Sequence, residues 1–575
     1  MILIVALACP CSYGQVANLS KAYGATVQSF KQTKEVFRLQ KSSRFYIVEP
    51  DEATQEQGKD GAGIVKASSK VKSTVRFVAS EFAKKKKPSS KTLKVISGTR
   101  DKSKNGDILI EMHKGKYQAQ QYQLTVGPKV VIKASTADGV FYGLRSLLKY
   151  RIATGSNTLK GAVIKDKPDV KERVVHLDCA RKYYSKSWIQ KFIRRASWQG
   201  YNAIEIHFSE DQGLRLKSKK FPWLAGTYNG VKGVLTQSQM AEICSTARNN
   251  HVDVIPSFDS PGHMDYITKR YRSYVSSHPN FKFKYKGKTY SKNSSGFSNI
   301  SNYFKYNGAK SAYNYCSINL ANPVARAFTA ALIDEYADFF KKQGCSKFNI
   351  GGDELHGWYD VTVGGRTFTH GTKWKALQHW ESYARHTLKI SKGSPADTYI
   401  DYMNKTATRL EKKGYTCRMW NDEMYRCGSR HIKIKKSIKI VFWTDNYAPL
   451  SKFKSKGYDL YNAVSTWTYY VTTPPSVHTY KYVYARPIYE RWNPKSFAEP
   501  GYKAKTISDA HYQGAYFCIW CDYASAKTQS QVYSDAGMKM WASGAKMWNR
   551  QVHSKYSGIG KTLSYNTFKK YVKRF

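Results

Sequence analysis

Eight short apolar runs alternate with amphipathic segments over about the last 400 residues of this 575-residue chain, and this alternation constrains its fold most. The predicted strands are 174–177, 203–207, 252–258, 347–351, 417–420, 438–443, 460–465 and 514–520. Helical periodicity lies between them, for example at 187–198, 236–249, 325–342 and 397–413. Repeated strand–helix units predict an α/β fold, a (β/α)8 TIM barrel over 168–575, whose chemistry lies where the strands end.

Residues 20–160 have a different pattern, and they predict a small α/β accessory domain in front of the barrel. Strands are predicted at 71–79, 92–96, 107–112, 121–126 and 129–134, and a helix at 138–151. The sequence Asp-Lys-Pro-Asp at 166–169 is interpreted as the linker between the two domains.

Residues 1–19 begin with an apolar run followed by small residues, and they resemble the end of a secretory signal. We therefore expect a secreted or cell-surface-associated protein. No later segment has the roughly 18 apolar residues of a membrane-spanning helix. Cys518 and Cys521 have redox or metal spacing without a second such pair, so we expect buried thiols or a structural disulfide.

The formal net charge of +53 would attract anionic partners. Nucleic-acid-binding proteins usually concentrate their basic residues on one element, whereas here Lys and Arg are spread along the chain. We therefore expect anionic cell-wall or surface polymers as partners, and no specific nucleic acid. The 44 Tyr and 13 Trp offer flat faces with polar edges, which suit sugar rings.

Residues 282–310 form a long insertion rich in Lys, Tyr, Ser and Asn. A loop of this length within a compact barrel is usually functional or mobile. We expect it to border the active-site face, after the third predicted strand.

Asp353 and Glu354 follow two glycines at the end of a predicted strand. Neighbouring carboxylates raise one another's pKa, which suits a general acid, and the alternative is a solvated acidic turn. Trp420, Trp443 and Trp520 end three other strands, and each is followed two positions later by an Asp. Together they predict an aromatic pocket that would enclose a sugar ring and desolvate a carboxyl group.

Several motifs occur in a fixed order along the barrel. They are Asp178-x-x-Arg181, Ser209-Glu-Asp-Gln-Gly213, Ile255-Pro-x-x-Asp-x-Pro-Gly-His263, Gly351-Gly-Asp-Glu354, Trp420-Asn-Asp422 and Trp520-x-Asp522. In this order the chain resembles the family 20 glycoside hydrolases, which include β-N-acetylhexosaminidases, dispersin-type enzymes and lacto-N-biosidases. Residues 20–160 resemble the accessory domain of that family.

The resemblance implies a retaining exo-glycosidase in which the 2-acetamido group of the substrate is the nucleophile. Glu354 would be the general acid, and Asp353 would hold the acetamide N–H. Tyr470 would donate to the acetamide oxygen, with Tyr469 as the alternative. No metal or cofactor is implied.

The resemblance also implies the residues that bind the sugar. Arg181 would bind the ring hydroxyls and Asp522 the 4- or 6-hydroxyl. Three indoles would enclose the ring and the acetamide: Trp420, Trp443 and Trp520. A supporting network behind Glu354, or a purely structural set, would comprise Asp211, His263 and Asp259.

Two positions depart from the family pattern. Asn349 stands where the family usually has His, and Asp522 stands where enzymes that release single hexosamines often carry Glu. The shorter Asp522, together with Arg-Lys-Tyr-Tyr at 181–184, favours the lacto-N-biosidase style of site, which releases a disaccharide. Release of GlcNAc, GalNAc or a disaccharide stays open at this point.

Two further hypotheses come from other classes. One is a catalytically silent barrel that only binds glycans, against which the intact Asp353, Glu354 and Tyr470 argue. The other is a nucleic-acid-binding protein, for which the sequence has no recognisable module.

Overall fold

The molecule is described from a computed structural model. The model describes residues 22–51, 63–84, 93–226, 232–306, 310–355, 361–363, 366–368, 378–425, 430–474, 483–554, 560 and 562–575. Strands and helices are numbered along the chain within these residues.

The accessory domain is built on one seven-stranded mixed sheet. Its strands are β1 (Ser29–Arg38), β2 (Phe45–Val48), β3 (Val95–Gly98), β4 (Ile108–Met112), β5 (Tyr122–Val126), β6 (Val130–Ala134) and β7 (Thr158–Asp166). Their order in the sheet is β1-β7-β5-β6-β4-β2-β3. Two helices that pack against each other complete the domain, α1 (Ser69–Lys84) and α2 (Ala137–Thr154). The sheet extends to Asp166, beyond residue 160 and up to the first residue of the predicted linker.

The strand predicted at 71–79 is wrong, because these residues lie inside helix α1. Val71, Val75, Val78 and Phe82 are the buried positions, and their spacing of three and four residues is that of one helix face. β1, β2 and β7 were not predicted.

The second sheet is a closed parallel barrel with eight strands. The strands from here on are β8 (Glu172–Asp178), β9 (Ala203–His207), β10 (Ser209–Glu210), β11 (Gly213–Leu214), β12 (Asp253–Ser257), β13 (Phe283–Tyr285), β14 (Lys288–Tyr290), β15 (Ser301–Tyr306), β16 (Lys310–Ile318), β17 (Lys347–Asn349), β18 (Val361–Val363), β19 (Arg366–Phe368), β20 (Thr416–Trp420), β21 (Lys439–Phe442), β22 (Leu460–Asn462), β23 (Tyr469–Val471) and β24 (Tyr512–Trp520). The barrel order is β8-β9-β12-β17-β20-β21-β22-β24, with β24 closing against β8 and β23 pairing with the last residues of β24, 518–520. The predicted (β/α)8 barrel is confirmed, and each of its eight strands overlaps a predicted run.

Helices follow most of the barrel strands. They are α3 (Lys186–Trp198), α4 (Gln237–Asn249), α5 (Asp265–Ser277), α6 (Pro323–Lys342), α7 (Gln378–Ser382), α8 (Pro395–Lys412), α9 (Leu450–Ser455), α10 (Ser465–Thr468), α11 (Ala485–Arg491), α12 (Gln529–Trp548) and α13 (Tyr565–Val572). In the described part of the chain, no helix combines the length and apolarity required to cross a bilayer.

The insertion at 282–310 is more ordered than a loop. It contains the β13–β14 hairpin and the first strand of the β15–β16 hairpin. The amide of Met264 donates to the carbonyl of Cys316, and the amide of Ile318 donates to that of Pro261, both at 3.0 Å. These bonds attach the end of β16, the strand that pairs with β15 of the insertion, to the segment that leaves β12.

A buried ion cluster fills the lower part of the barrel. Arg418 Nη2 lies 2.8 Å from Glu172 Oε1, and Lys347 Nζ lies 3.0 Å from Glu172 Oε2. Tyr516 accepts a hydrogen bond from Arg418 Nη1 at 2.6 Å and donates one to Glu205. Burial alone would raise the pKa of Glu172, but the two cations outweigh it and lower that pKa to about 2.

The two domains are joined by polar contacts. His251, which follows α4, has Nδ1 2.6 Å from Asp138 Oδ1 and Nε2 2.9 Å from Thr74 Oγ1. At the end of α12, Trp548 Nε1 donates to Asp166 Oδ2 at 3.0 Å. Side chains of the barrel therefore reach into both the sheet and the helices of the accessory domain.

Cys518 and Cys521 are buried free thiols at the end of β24. The expectation of buried thiols is therefore confirmed, in preference to the disulfide.

Candidate active site

The turn after β17 requires glycine. Gly351 and Gly352 have φ values of 70° and 93°, in the left-handed region. A Cβ atom on Gly351 would lie 1.9 Å from Asp259 Oδ1. The close approach of the two segments brings Asp353 beside Asp259.

Asn349 holds the start of this turn. Its Nδ2 donates to Glu205 Oε1 at 2.8 Å, and its Oδ1 accepts from the amide of Gly351 at 3.0 Å. The departure from the family pattern therefore links the catalytic turn to the ion cluster of the barrel interior.

A cavity of about 90 Å³ opens at the carboxyl ends of the strands. Its lining residues come from seven different strand ends or the segments after them, and they are Arg181, Glu210, His263, Asp353, Glu354, Trp443, Tyr469, Val471, Trp520 and Asp522. Most of the residues predicted for the site are thus brought together although they lie far apart in the sequence.

Asp353 and Glu354 differ in their surroundings. Asp353 is buried, and burial together with the neighbouring Asp259 raises its pKa well above the usual range. Burial and the nearby Glu210 raise the pKa of Asp259 to about 7, against the opposing effect of His263. The Glu354 side chain, in contrast, is 42% exposed. The two adjacent buried carboxyl groups titrate as a pair, and the pKa values of both are held above the ordinary value for Asp.

His263 connects two groups of carboxylates. Its Nδ1 lies 3.3 Å from both Glu210 Oε2 and Asp211 Oδ2, and its Nε2 lies 3.7 Å from Glu354 Oε2. Burial lowers the pKa of His263, but the acidic neighbours outweigh burial and raise it well above its usual value. The predicted pair of Asp211 and His263 therefore lies behind Glu354 as an imidazolium with carboxylates on both sides.

Arg181 is held by three carboxylates. Its Nη1 lies 3.1 Å from Asp178 Oδ2 and 3.6 Å from Asp522 Oδ1, and its Nη2 forms an ion pair with Glu210. Its guanidinium carbon lies 5.4 Å from the centre of a Trp520 ring. Glu210 was missed by sequence reasoning, which chose its neighbour Asp211 from the same motif.

Three aromatic rings form one wall of the cavity. Trp443 and Tyr469 stack with ring centres 6.0 Å apart at 14°, and Tyr469 lies 5.7 Å from Trp520. Trp420 was predicted to belong to this wall, but it is buried below Trp520, at 5.8 Å between ring centres, and does not line the cavity.

The structure corrects the choice between the two tyrosines. Successive side chains of a strand point to opposite sides, so Tyr469 and Val471 of β23 face the cavity while Tyr470 faces away. The Tyr470 hydroxyl donates to Asp535 Oδ2 of helix α12 at 3.3 Å. Tyr469, the alternative, is the tyrosine of the cavity wall.

The three Asp residues that follow the tryptophans occupy different places. Asp522 lies beside Arg181, and Asp445 pairs with Lys505 at 3.1 Å. Asp422 is buried, with Oδ2 accepting from the amide of Glu354 at 2.8 Å and Oδ1 accepting from Trp443 Nε1 at 3.0 Å. Sequence reasoning quoted Asp422 in a motif but gave it no role.

Ligand types for a divalent metal also meet here. Three overlapping sets have ligand atoms within 4.8 Å of one another, namely His207/Glu210/Asp259, Glu210/Asp211/His263 and Asp259/His263/Asp353. The sequence showed no such set because the members follow different strands. Glu210 and His263 are already engaged with Arg181 and with the neighbouring carboxylates.

A second cavity, of about 60 Å³, lies between the two domains. Its wall includes Lys149, Asp166 and Trp541. Burial, with help from Arg145, lowers the pKa of Lys149 to about 7. This cavity lacks paired carboxylates, so the chemistry is assigned to the mouth of the barrel.

Adjacent carboxylates at the mouth of a (β/α)8 barrel, beside an indole-walled cavity with a fixed Arg, fit a glycoside hydrolase. The model of the glycosyl hydrolase family 20 catalytic domain matches residues 171–550, and that of domain 2 of the same family matches residues 27–167. The chain belongs to glycosyl hydrolase family 20.

Individual relatives are distant. The chain is 25% identical to the lacto-N-biosidase of Bifidobacterium bifidum over 77% of its own length and 33% of that protein. It is 25% identical to a β-hexosaminidase of Vibrio vulnificus over 61% of its own length and 41% of that protein. The chain thus spans well under half of these relatives.

Solved structures share the fold. A β-N-acetylhexosaminidase from Bacteroides fragilis superposes with a TM-score of 0.64 at 19% identity, covering 95% of this chain and 93% of that one. A β-N-acetylglucosaminidase from Vibrio harveyi superposes with a TM-score of 0.66 at 16% identity, covering 96% and 76%.

Proposed function

We propose that the protein is a retaining exo-glycosidase that hydrolyses terminal β-linked N-acetylhexosamine by substrate-assisted catalysis. The observation that carries the proposal is the cavity itself. Asp353 and Glu354 line it together, opposite a wall that includes Trp443, Tyr469 and Trp520.

In the first step the carbonyl oxygen of the substrate's own acetamide attacks C1. The C1–O bond to the leaving group breaks, and Glu354 gives its proton to the leaving oxygen. Asp353 accepts a hydrogen bond from the acetamide N–H, which favours the ionised form of Asp353. Tyr469 donates to the acetamide oxygen, and the indoles hold the acetamide in line.

In the second step the Glu354 carboxylate takes a proton from water. The hydroxide oxygen adds to C1 of the oxazolinium ion from the side that the leaving group occupied. The bond from C1 to the acetamide oxygen breaks, and the 2-acetamido group is restored. Two displacements at one carbon give net retention. Glu354 ends the cycle protonated again.

Arg181 and Asp522 bind the ring hydroxyls. Asp178 and Glu210 hold the Arg181 guanidinium from behind, so little side-chain entropy is lost when a sugar binds.

Release of nitrophenol from nitrophenyl β-GlcNAc and β-GalNAc tests the proposal. We expect turnover with retention of the anomeric configuration. Proton NMR of the first-formed sugar measures that configuration. Asp353→Asn should lower kcat by about 10²–10³-fold, and added azide should not produce a glycosyl azide of inverted configuration. Such an azide would reveal an enzymic nucleophile and overturn the mechanism. Glycan binding without any turnover would leave the silent barrel as the function.

A specific observation favours a second candidate, a lacto-N-biosidase that releases a disaccharide. The Asp522 side chain is 48% exposed, and the neighbouring Tyr523 is 46% exposed. An exposed carboxylate beside an exposed aromatic ring is suited to a further sugar on the non-reducing side. The B. bifidum relative that bears this name supports the candidate. Comparing kcat/KM on nitrophenyl lacto-N-bioside and nitrophenyl GlcNAc decides between the two.

We also propose that the enzyme is secreted or held at a cell surface and works among anionic wall or surface polymers. The net charge of +53 supports this setting. The KM for a glycan attached to an anionic polymer should rise steeply with salt, while the KM for a neutral nitrophenyl glycoside should not. Equal salt dependence for both substrates would contradict the proposal.

A further inference from the structure

The segment that leaves β20 holds the catalytic acid by its backbone. Asp422 Oδ2 accepts from the amide of Glu354 at 2.8 Å, and Glu423 Oε1 accepts from the next amide, that of Leu355, at 3.0 Å. Two consecutive amides after Asp353 are therefore bound by two consecutive carboxylates. Asp422 and Glu423 are both buried.

The backbone held in this way has an uncommon conformation. Glu354 has φ of 38°, in the left-handed region that residues other than glycine seldom adopt. Such a conformation persists only where the surroundings specify it. The hydrogen bond to Asp422 fixes the backbone amide of Glu354, and this orients the half-exposed Glu354 side chain.

The same segment also holds the aromatic wall. The other oxygen of Asp422, Oδ1, accepts from Trp443 Nε1 at 3.0 Å. Asn421 Oδ1 accepts from the backbone amide of Trp443 at 2.9 Å, and Asn421 Nδ2 donates to the carbonyl of Thr444 at 2.7 Å. One carboxylate thus binds the backbone of the acid with one oxygen and the indole of the wall with the other.

We propose that Asp422 is a positioning residue that sets the distance between the acid Glu354 and the ring that Trp443 covers. It does so through its two simultaneous hydrogen bonds and without touching the substrate. This inference rests on the proposed function, because it assigns Glu354 as the acid and Trp443 as part of the sugar site.

Leaving-group dependence separates positioning of an acid from general damage. The dinitrophenolate of a 2,4-dinitrophenyl glycoside departs with little help from an acid. The methoxy group of a methyl glycoside requires a proton from the acid in order to depart. In Asp422→Asn one of the two oxygens becomes an NH2 group, which cannot accept a hydrogen bond from the N–H donor that it faces. Asp422→Asn should therefore lower kcat/KM, which reports the first step, on the methyl β-GlcNAc glycoside by about 10- to 100-fold and on the dinitrophenyl glycoside by less than about threefold.

The matched control is Asp445→Asn. Asp445 also stands two positions after a strand-end tryptophan, but it pairs with Lys505 at 3.1 Å instead of binding the acid. Asp445→Asn should leave both rates within about twofold of wild type. If Asp422→Asn fails to fold, Trp443→Phe, which removes the indole donor to Asp422 together with part of the cavity wall, should still show a larger loss on the methyl glycoside than on the dinitrophenyl glycoside.

A double-mutant cycle tests the coupling directly. Because both variants break one shared arrangement, the loss in Asp422→Asn/Trp443→Phe should be smaller than the product of the two single losses. Equal losses on both leaving groups, or multiplicative losses in the cycle, would overturn the inference. A wild-type enzyme inactive on every N-acetylhexosaminide would instead overturn the proposed function.

Discussion

Carboxyl groups are buried at both ends of the barrel, but their pKa values shift in opposite directions at the two ends. At the lower end Glu172 lies against Arg418 and Lys347, and its pKa falls to about 2. At the mouth, burial and the nearby Glu210 raise the pKa of Asp259 to about 7, because the opposing effect of His263 does not outweigh them. The comparison shows that pairing, more than burial itself, distinguishes a structural carboxylate from one that is available for chemistry.

The largest expected effect lies at the mouth. Glu354→Gln keeps the shape but removes the transferable proton, so kcat should fall by about 10²–10⁴-fold. Because this side chain is 42% exposed, the thermal unfolding midpoint should hardly change. Turnover of nitrophenyl β-GlcNAc and a melting curve measure the two quantities, and near-normal turnover would remove Glu354 as the acid.

A substitution at the lower end of the barrel should lower stability and leave activity nearly unchanged. Arg418→Met leaves Glu172 buried with only one cation, which should cost about 3–5 kcal/mol of unfolding free energy. The kcat of the molecules that stay folded should be close to that of wild type. Urea unfolding with parallel assays tests this, and Lys413→Met, which breaks an exposed pair with Asp338, is the control at under about 1 kcal/mol. A loss no greater than the control's would contradict the assigned role of the cluster.

The two ends should also differ in the sign of their pH dependence. The unfolded chain loses the Asp259 proton near pH 3.9, whereas the folded protein keeps it until about pH 7. Stability from this group is therefore complete below about pH 4 and declines as the pH rises to about 7. Asp259→Asn should remove that decline and be the more stable protein at pH 8, by about 1–4 kcal/mol.

Glu172 provides the opposite sign. Its unfolded pKa is near 4.3 and its folded pKa about 2, so its contribution is present above about pH 4.3 and disappears as the pH falls through about 2. Unfolding free energies of wild type, Asp259→Asn and Glu172→Gln over this pH range test both signs. Parallel curves for wild type and Asp259→Asn would show that folding does not raise the pKa of Asp259.

The smallest expected effects sharpen the boundary of the site. Tyr469→Phe should lower kcat by about 10- to 100-fold, because it removes a donor to the acetamide oxygen. Tyr470→Phe should change kcat by less than about twofold, since its hydroxyl contacts Asp535 outside the cavity. Steady-state kinetics of the two variants side by side decide the assignment, and a larger loss for Tyr470→Phe would reverse it.

The pattern of apolar and polar residues along the sequence was sufficient to predict the barrel and many of the residues at its mouth. The eight strands are short and apolar, and the polar motifs begin where they end, so residues such as Arg181, His263 and Asp353 could be predicted. The pattern failed at 71–79, where valines at helical spacing were interpreted as a strand. It failed at Tyr470 as well, since a shift of one position reverses the side of a strand that a residue faces.

Other features of the site depend on contacts between distant segments. Asp422 acts on Glu354 across a hydrogen bond between two strand ends, and Glu210 is defined by its ion pair with Arg181. The spacing of apolar residues along the sequence does not indicate such contacts. Only the folded arrangement shows which acidic residue of a motif faces the cavity and which faces a cation.

The contacts of His251 and Trp548 with the accessory domain have a practical consequence for truncation. Without residues 22–166, His251 would lose both Asp138 and Thr74, and the indole N–H of Trp548 would lose Asp166. The catalytic part expressed alone should therefore be less stable than the two domains together. A design that keeps residues 22–166 retains these three hydrogen bonds.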